Sequence, residues 1–509
     1  MKDSSQRKMG AILSYVSIVV NTLIQLLYTP FLVKSLGQSE YGLYSLVASI
    51  IGYLTIMDLG FGNAIVVYTS KYREQGKINE EKKLHGMFNF VFKMMGIFAC
   101  ILGIIIYLNV EKIFGTNMSI LEIKKMKIMM LILSFNLLLT FYFAIYSSII
   151  SSYERFVFQK VISILQSLLK PLLMIPLLFL GYKSITLCII ITIVNLLTLL
   201  SNYIYCKKKL NTQAKFLGFD KKIFKTIICY SIWIFIGIIV DKVNWSVDNF
   251  ILGAVSGTIA VSIYSLASTM NQLFCNLSTA ISGVLLPKMS KLVAKKASDE
   301  ELTKEFIKVG RIQYLIVFLM CSGMVLIGKE FFNVWVGKGF EDAYYISLLL
   351  IIPVCIPLIQ NLGISIMQAK NLHKFRSILL FGISIINIVI TIPLAKTYGG
   401  LGAAFGTGFS LLIGNGLIIN IYYYKKVGIN VLKFWKEILI MTIPNIIPLF
   451  LIIVFMKLTS FKGINNIIVY GGIYTILYCI TAYFISMNEY EKSIIDRVLI
   501  KLHIKKVIQ

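Results

Sequence analysis

The chain has 509 residues, of which 57% are hydrophobic, 14% charged and 13% aromatic. A soluble domain carries about 25% charged residues and about 45–50% apolar ones, whereas apolar runs long enough to cross a hydrocarbon core of roughly 30 Å as helices recur here along the whole length. The formal net charge of +27 sits in short basic clusters between those runs, a pattern that sets orientation in a membrane rather than affinity for nucleic acid.

The N-terminus MKDSSQRKMG followed by AILSYVSIVV has the look of a signal peptide. The apolar stretch continues to about Val33, and no small-x-small cleavage site ends it, so a retained first helix is expected. Fourteen candidate spans follow in order. Their cores lie at 10–33, 42–70, 87–109, 128–150, 161–180, 185–206, 226–252, 259–287, 312–328, 345–369, 377–396, 402–424, 438–457 and 467–486. The expected fold is therefore an all-α polytopic membrane protein of about 14 transmembrane helices. Connections are too short for an extramembrane catalytic domain.

Basic residues orient these spans. With the N-terminus inside, the expected cytoplasmic segments hold 36 of the 50 Lys and Arg, the outside loops 9, and the spans 5. KKKLNTQAKFLGFDKKIFK (207–225) carries seven lysines, and 288–311 carries seven more basic residues. This places both termini in the cytoplasm. A short repeat suggests the internal organisation: YSL begins at Tyr44 and again at Tyr264, six helices later. An even offset relates the copies by an axis along the membrane normal. It divides the chain into two pseudo-symmetric six-helix lobes (1–206 and 226–424). A basic cytoplasmic linker (207–225) joins them, and two extra helices with a cytoplasmic tail (425–509) follow.

Charge within the spans is scarce, and an ionised group near the bilayer centre costs about 2.5–3.5 kcal/mol on insertion scales. Asp58 lies near mid-depth in GYLTIMDLGFGNAIVVYTSKYREQGK (52–77), with Gly60 and Gly62 beside it. It either pairs with a lysine to tie helices together or lines a hydrated cavity. The two glycines permit close helix approach or a local break. Lys93 is close enough to the end of its span to snorkel to the interface. Lys170, in SLLKPLLMIP, precedes the helix-disrupting Pro171. It either partners Asp58 or Asp241 or points into a polar groove. In IGIIVDKVNWSVDNFILG (236–253), Asp241, Asn244 and Asp248 fall on nearly one helical face, with Lys242 and Trp245 adjoining. Such a stripe suits sugar hydroxyls or a proton or sodium site. The eight cysteines read as small packing residues, and His85, His373 and His503 are too far apart in sequence to suggest a metal. Prolines 353 and 357 and the small-residue run TYGGLGAAFGTGFS (397–410) mark helices able to bend.

The run SEYGLYSLVASIIGYLTIMDLGFGNAIVVYTSKYREQGK (39–77) resembles the N-terminal signature of bacterial polysaccharide-biosynthesis flippases. These are the Wzx-like repeat-unit transporters of the multidrug/oligosaccharidyl-lipid/polysaccharide exporter superfamily. The pattern is Y-G-x-Y, then D-x-G-x-G-N, then a basic loop. VDNFILGAVSGTIAVSIYSLAS (247–268) and YGGLGAAFGT (398–407) extend the resemblance.

The resemblance implies two six-helix lobes around a central cavity in the bacterial plasma membrane. It also implies undecaprenyl-diphosphate-linked oligosaccharide as cargo, moved by alternating access without catalysis. Lys34, Lys93, Lys170 and Lys242 become candidates for diphosphate attraction, with Asn244 and Trp245 lining the cavity. Asp58, Asp241 and Asp248 supply polarity or coupling to a proton or sodium gradient. No cofactor or metal is expected. Membrane lipids, a polysaccharide polymerase and a chain-length regulator are the expected partners. Two alternatives stand beside this reading: a multidrug/cation antiporter of the same fold, and a membrane-embedded polymerase or ligase. The last would need a long outer loop, yet the longest here are about 18 (110–127) and about 16 residues (329–344).

Overall fold

A computed structural model describes residues 3–212, 214, 216–282, 289, 292–293, 295, 297–370 and 372–501; among these there are helices and turns but no strand. The first helices are α1 (Asp3–Leu36), α2 (Gln38–Leu54), α3 (Phe61–Glu74), α4 (Ile78–Phe114), α5 (Ile120–Ser152), α6 (Phe156–Phe179) and α7 (Ser184–Lys209). Then come α8 (Lys221–Val255), α9 (Gly257–Ser282), α10 (Asp299–Trp335), α11 (Glu341–Ile359), α12 (Leu362–Ala369) and α13 (His373–Leu411). After π-helical turns that carry α13 on to Val427, the chain forms α14 (Val431–Leu458), α15 (Ile464–Thr481) and α16 (Glu489–Lys501).

Polar residues set where several of these helices begin. Ser119 and Glu122 form a reciprocal capping box at the start of α5. Asp220 accepts from the amides of Lys222 and Ile223 at α8, Ser298 from Glu301 at α10, and Asn430 from Lys433 at α14. Each satisfies amide groups that the first helical turn leaves unpaired. Along the helices, large apolar side chains such as Leu27, Phe179 and Ile443 stay exposed. In water so many would be a liability, but a bilayer solvates them.

Among the described residues, eleven helices are long and apolar enough to span a membrane, or twelve if the bent pair Lys221–Cys229 and Ile234–Val255 is one span. The expected count of fourteen is thus not confirmed. Two of the differences have a visible origin. The segment Phe375–Val427 counts once but has 53 residues, about 80 Å at 1.5 Å per residue, more than twice a hydrocarbon core. It is broken at Gly399 (φ 56, ψ −134), between the expected spans at 377–396 and 402–424. The expected span at 259–287 also runs past Ser282 into residues outside the described ones.

Packing divides the chain into two compact units: Met1–Thr269 with Ser377–Gly406, and Met270–Arg376 with Thr407–Gln509. In the first, α4 lies along α5, α5 against α7, and α1 against α6. Its buried residues include Leu46, Ile50, Phe61, Phe88 and Phe92, with the Phe61 and Phe88 rings edge-on at 5.2 Å. In the second, α10 packs on α11, α14 and α15. Phe306 and Phe434 meet there at 4.8 Å, and Tyr470 and Tyr474 of α15 are buried farther along the same bundle, against Thr459 and Ser322.

Candidate functional site in the first unit

Helices α2 and α8 run antiparallel in close contact, and most of the intramembrane charge lies along or beside this seam. A Cβ on Gly42 would fall 1.8 Å from the carbonyl oxygen of Thr258, at the start of α9. One on Gly253 would fall 2.7 Å from Leu46. Asn249 donates to Ser49 Oγ at 2.9 Å. A Cβ on Gly52 would stand 3.6 Å from Lys242 Nζ, and one on Gly60 2.7 Å from Ile234. As the residue number rises on α2 it falls on the partner, so the register is continuous from Gly42 to Gly60. Side chains larger than hydrogen at Gly42 and Gly60 would hold the backbones apart.

Asp58 sits where α2 ends. Thr55–Asp58 form a 3₁₀ turn, Leu59 (φ 52) and Gly60 (φ 73) are left-handed, and α3 resumes at Phe61. The segment Gln38–Glu74 is therefore an apolar span broken near its middle. Both options that the glycines allowed are realised at Gly60: the helix breaks there, and the chain comes close to Ile234 of α8. The Gly62 amide faces the Asp58 carboxylate, and a Cβ on Gly62 would stand 3.5 Å from Ser148 Oγ of α5 and 3.7 Å from Asp58 Oδ2. Asp58 is half-buried, and no described lysine or arginine forms an ion pair with it.

The polar residues of α8 face different neighbours. Asp248, 1% exposed, accepts a hydrogen bond from Tyr264 of α9. Asn244 accepts from Ser384 of α13 at 3.3 Å and is buried. Trp245 and Lys242 are half-buried. The side chain of Asp241 lies outside the described residues. Lys170 is half-buried on α6 beside Pro171, and no described carboxylate pairs with it. Lys93 rests on the Tyr142 ring at 4.4 Å, a cation–π contact with α5. Lys34 is exposed in the last turn of α1.

Three further residues belong to this region and were passed over in the sequence. Asn249 joins the two repeat helices, donating to Ser49, three residues past the first YSL, and accepting at 3.3 Å from Ser265 Oγ within the second. Glu40, 9% exposed in the first turn of α2, pairs with Lys125 and accepts from Ser184. Glu122 accepts from Ser39 and from Thr258, each at 2.6 Å, as well as from Ser119. Together Glu40 and Glu122 bind the ends of α2, α5, α7 and α9, and Asn117 adds a bond to the Ala254 carbonyl at 2.7 Å. The S-x-x-E pattern at 119–122 was a readable cue for a helix start, though not for the partners that Glu122 finds on α2 and α9. The region as a whole offers a cation, carboxylates, amides and hydroxyls, the donor and acceptor set that recognises phosphate and sugar hydroxyls.

Residues 8–293 match the family described as polysaccharide biosynthesis protein. A candidate O-antigen transporter of Shigella flexneri is 20% identical over 409 residues, covering 77% of this chain and 92% of that protein. Among solved structures, the lipid II flippase MurJ in an inward closed conformation aligns with a TM-score of 0.71 at 18% identity, covering 96% of this chain and 99% of that one. An inward-facing multidrug resistance transporter of the MATE family and MOP superfamily aligns with a TM-score of 0.61 at 11% identity, covering 84% of this chain and 100% of that one. These likenesses establish the transporter fold.

Proposed function

Because the chain belongs to the polysaccharide biosynthesis protein family, we propose that it is a flippase for undecaprenyl-diphosphate-linked oligosaccharide repeat units, working by alternating access in the bacterial plasma membrane. The observation that carries this reading is the span of the family match, residues 8–293. That span takes in the broken helix at Asp58, Lys170, and the seam of α2 on α8 where Lys242 lies. The family signature and the intramembrane charge coincide.

A sugar headgroup crossing lipid loses water from many hydroxyls, each costing several kcal/mol unless it finds a new partner. Polar side chains lining a path remove that barrier without a covalent step. In this reading Lys170 and Lys242 attract the diphosphate as point charges. Asp58, Asp241, Asn244 and Asp248 provide polarity, or couple transport to a proton or sodium gradient. The basic clusters place both termini in the cytoplasm. The Glu40 and Glu122 ties then lie at the outer ends of their helices, where they close that side.

The test is flipping of a fluorescent undecaprenyl-diphosphate-linked glycan in vesicles holding the purified protein. Lys170→Ala with Lys242→Ala is expected to lower the rate at least about tenfold, since each cation near a phosphate is worth on the order of 1 kcal/mol or more. A wild-type rate in the double variant removes the diphosphate role from these lysines. A second reading, a multidrug or cation antiporter, is favoured by the likeness to the MATE-family transporter. It predicts drug resistance conferred on a sensitive strain, with dependence on Asp58 or Asp248 and none on the lysine pair.

A further inference from the structure

A charged cleft in the second unit takes no part in the reading above. It has a volume of about 500 Å³ between α10, α14 and the start of α16. Its floor is Arg311, 6% exposed and held on three sides. Arg311 donates to Glu491 through Nε at 2.7 Å and through a terminal nitrogen at 3.1 Å, to Glu437 at 2.9 Å, and to the Ser486 carbonyl at 3.0 Å. Glu491 is fastened in turn by the Asn488 amide at 3.0 Å. These bonds fix the walls of the cleft, because a guanidinium gripping one carboxylate with two nitrogens has little rotational freedom.

Around this floor stand Lys304, Lys308 and Lys433. None of the three forms an ion pair with a described carboxylate. Lys308 lies over the ring of Tyr490 at 3.6 Å, which holds its ammonium against the wall of the cleft. The carboxylates facing the opening are Glu437, already bonded to Arg311, and Glu300. Three lysines lining one preformed concavity suit a phosphate.

The surroundings identify which phosphate. The face of α14 that carries Lys433 and Glu437 continues to Ile440 one turn on, and Leu439, Ile440 and Ile443 beside it are all more than half exposed. The cleft thus opens onto an apolar, lipid-facing helix surface. Residues 304–311 and 433–437 also belong to the segments that the charge distribution assigns to the cytoplasmic side. Basic pockets at this depth between membrane helices suit the headgroups of anionic lipids.

We infer that this cleft binds the headgroup phosphate of an anionic membrane lipid, with the acyl chains laid along α14. The lysines supply the charge, the Arg311 network supplies the rigid floor, and Tyr490 closes the side next to α16. The inference does not depend on what the chain transports.

The test uses the full purified chain in detergent, titrated with phosphatidylglycerol or with phosphatidylethanolamine of the same acyl chains, and read by native mass spectrometry. The wild type is expected to retain phosphatidylglycerol at least about tenfold better than a variant carrying Lys304→Ala, Lys308→Ala and Lys433→Ala. The corresponding triple arginine variant is expected to retain it, and phosphatidylethanolamine is expected to bind weakly. A second triple variant, Lys207→Ala, Lys208→Ala and Lys209→Ala, removes the same charge from a helix end elsewhere and is expected to behave as wild type. Equal loss in both alanine triples would mean that only net charge matters, and would overturn the site. So would equal binding of the two lipids. In a parallel arm, inorganic phosphate at matched ionic strength is expected to leave phosphatidylglycerol in place. Complete displacement by phosphate would assign the cleft to a soluble anion and overturn the lipid.

Discussion

Gly60 shows how one residue type decides whether a membrane helix runs through or breaks. It is at φ 73, and a Cβ there would lie 2.7 Å from Ile234 of α8. An L-residue pays roughly 1–2 kcal/mol to stay left-handed, and the crowding against α8 comes on top. Gly62, two positions on, has ordinary helical backbone, with 3.5 Å to Ser148 Oγ and 3.7 Å to Asp58 Oδ2. Gly60→Ala is therefore expected to lower the thermal midpoint of the detergent-solubilised protein clearly, by the equivalent of about 2 kcal/mol, while Gly62→Ala changes it little. Scanning fluorimetry on both variants decides the matter, and equal midpoints would remove the structural distinction drawn between them. The sequence narrowed Gly60 to a close helix approach or a break, and the structure has both at that one residue. The partners of Asn244 and Asp248 were not readable in the sequence. A helical face can be read from spacing, but that face borders more than one neighbour, so Asn244 meets α13 while Asp248 meets α9. Asn249 escaped notice for a related reason. Its role depends on two serines that only the fold brings to it.

Helices α2, α5, α7 and α9 share a fastening that depends on side chains at their ends. Charges within the spans draw attention because they are costly there, whereas Glu40 and Glu122 occupy first turns, where acids are ordinary. Their importance lies in what converges on them. Glu122 holds Ser39 and Thr258 simultaneously, and bonds to an ionised carboxylate are worth about 1.5–3 kcal/mol each. Losing them should loosen this end of the helices. On a background without native cysteines, a cysteine at Ser45, which is 9% exposed on α2, reports such opening through its rate of labelling by a water-soluble maleimide. Glu122→Ala is expected to raise that rate roughly tenfold or more. Ser119→Ala removes the helix cap but leaves the bonds to Ser39 and Thr258, and should raise it far less. An unchanged rate in Glu122→Ala would mean that Glu122 does no more than start α5. The span count also belongs to this scale. Hydropathy separates helices only where polar residues interrupt them. The break at Gly399 lies within TYGGLGAAFGTG, which small residues keep apolar, so a helix-length criterion runs across it.

Orientation is a property of the whole molecule, and no single helix specifies it. The 36 basic residues in one set of connections and 9 in the other bias every hairpin in the same direction, so an error in one span would need to be matched by a second to leave the asymmetry intact. The break at Gly399 bears on this directly. If Phe375–Val427 crossed the membrane once, the two connections after it would change sides. Lys425, Lys426, Lys433 and Lys436 would then face outward while Lys304, Lys308 and Arg311, which precede the segment, stayed inside, a separation that the 2.9 Å bond from Arg311 to Glu437 does not allow. If it crosses twice, those lysines join the 207–225 cluster in the cytoplasm, as the charge rule requires. Single cysteines at Asn211, Lys338 and Lys436 distinguish the two arrangements in intact cells. With two crossings, a membrane-impermeant maleimide is expected to label only position 338, and positions 211 and 436 should react only after permeabilisation. Labelling of 436 in intact cells would make the long segment a single crossing, and would overturn the proposed lipid site by parting Lys433 from Lys304 and Lys308. That outcome would also put seven-lysine and four-lysine connections on opposite sides, against the bias of about four to one that the rest of the chain displays.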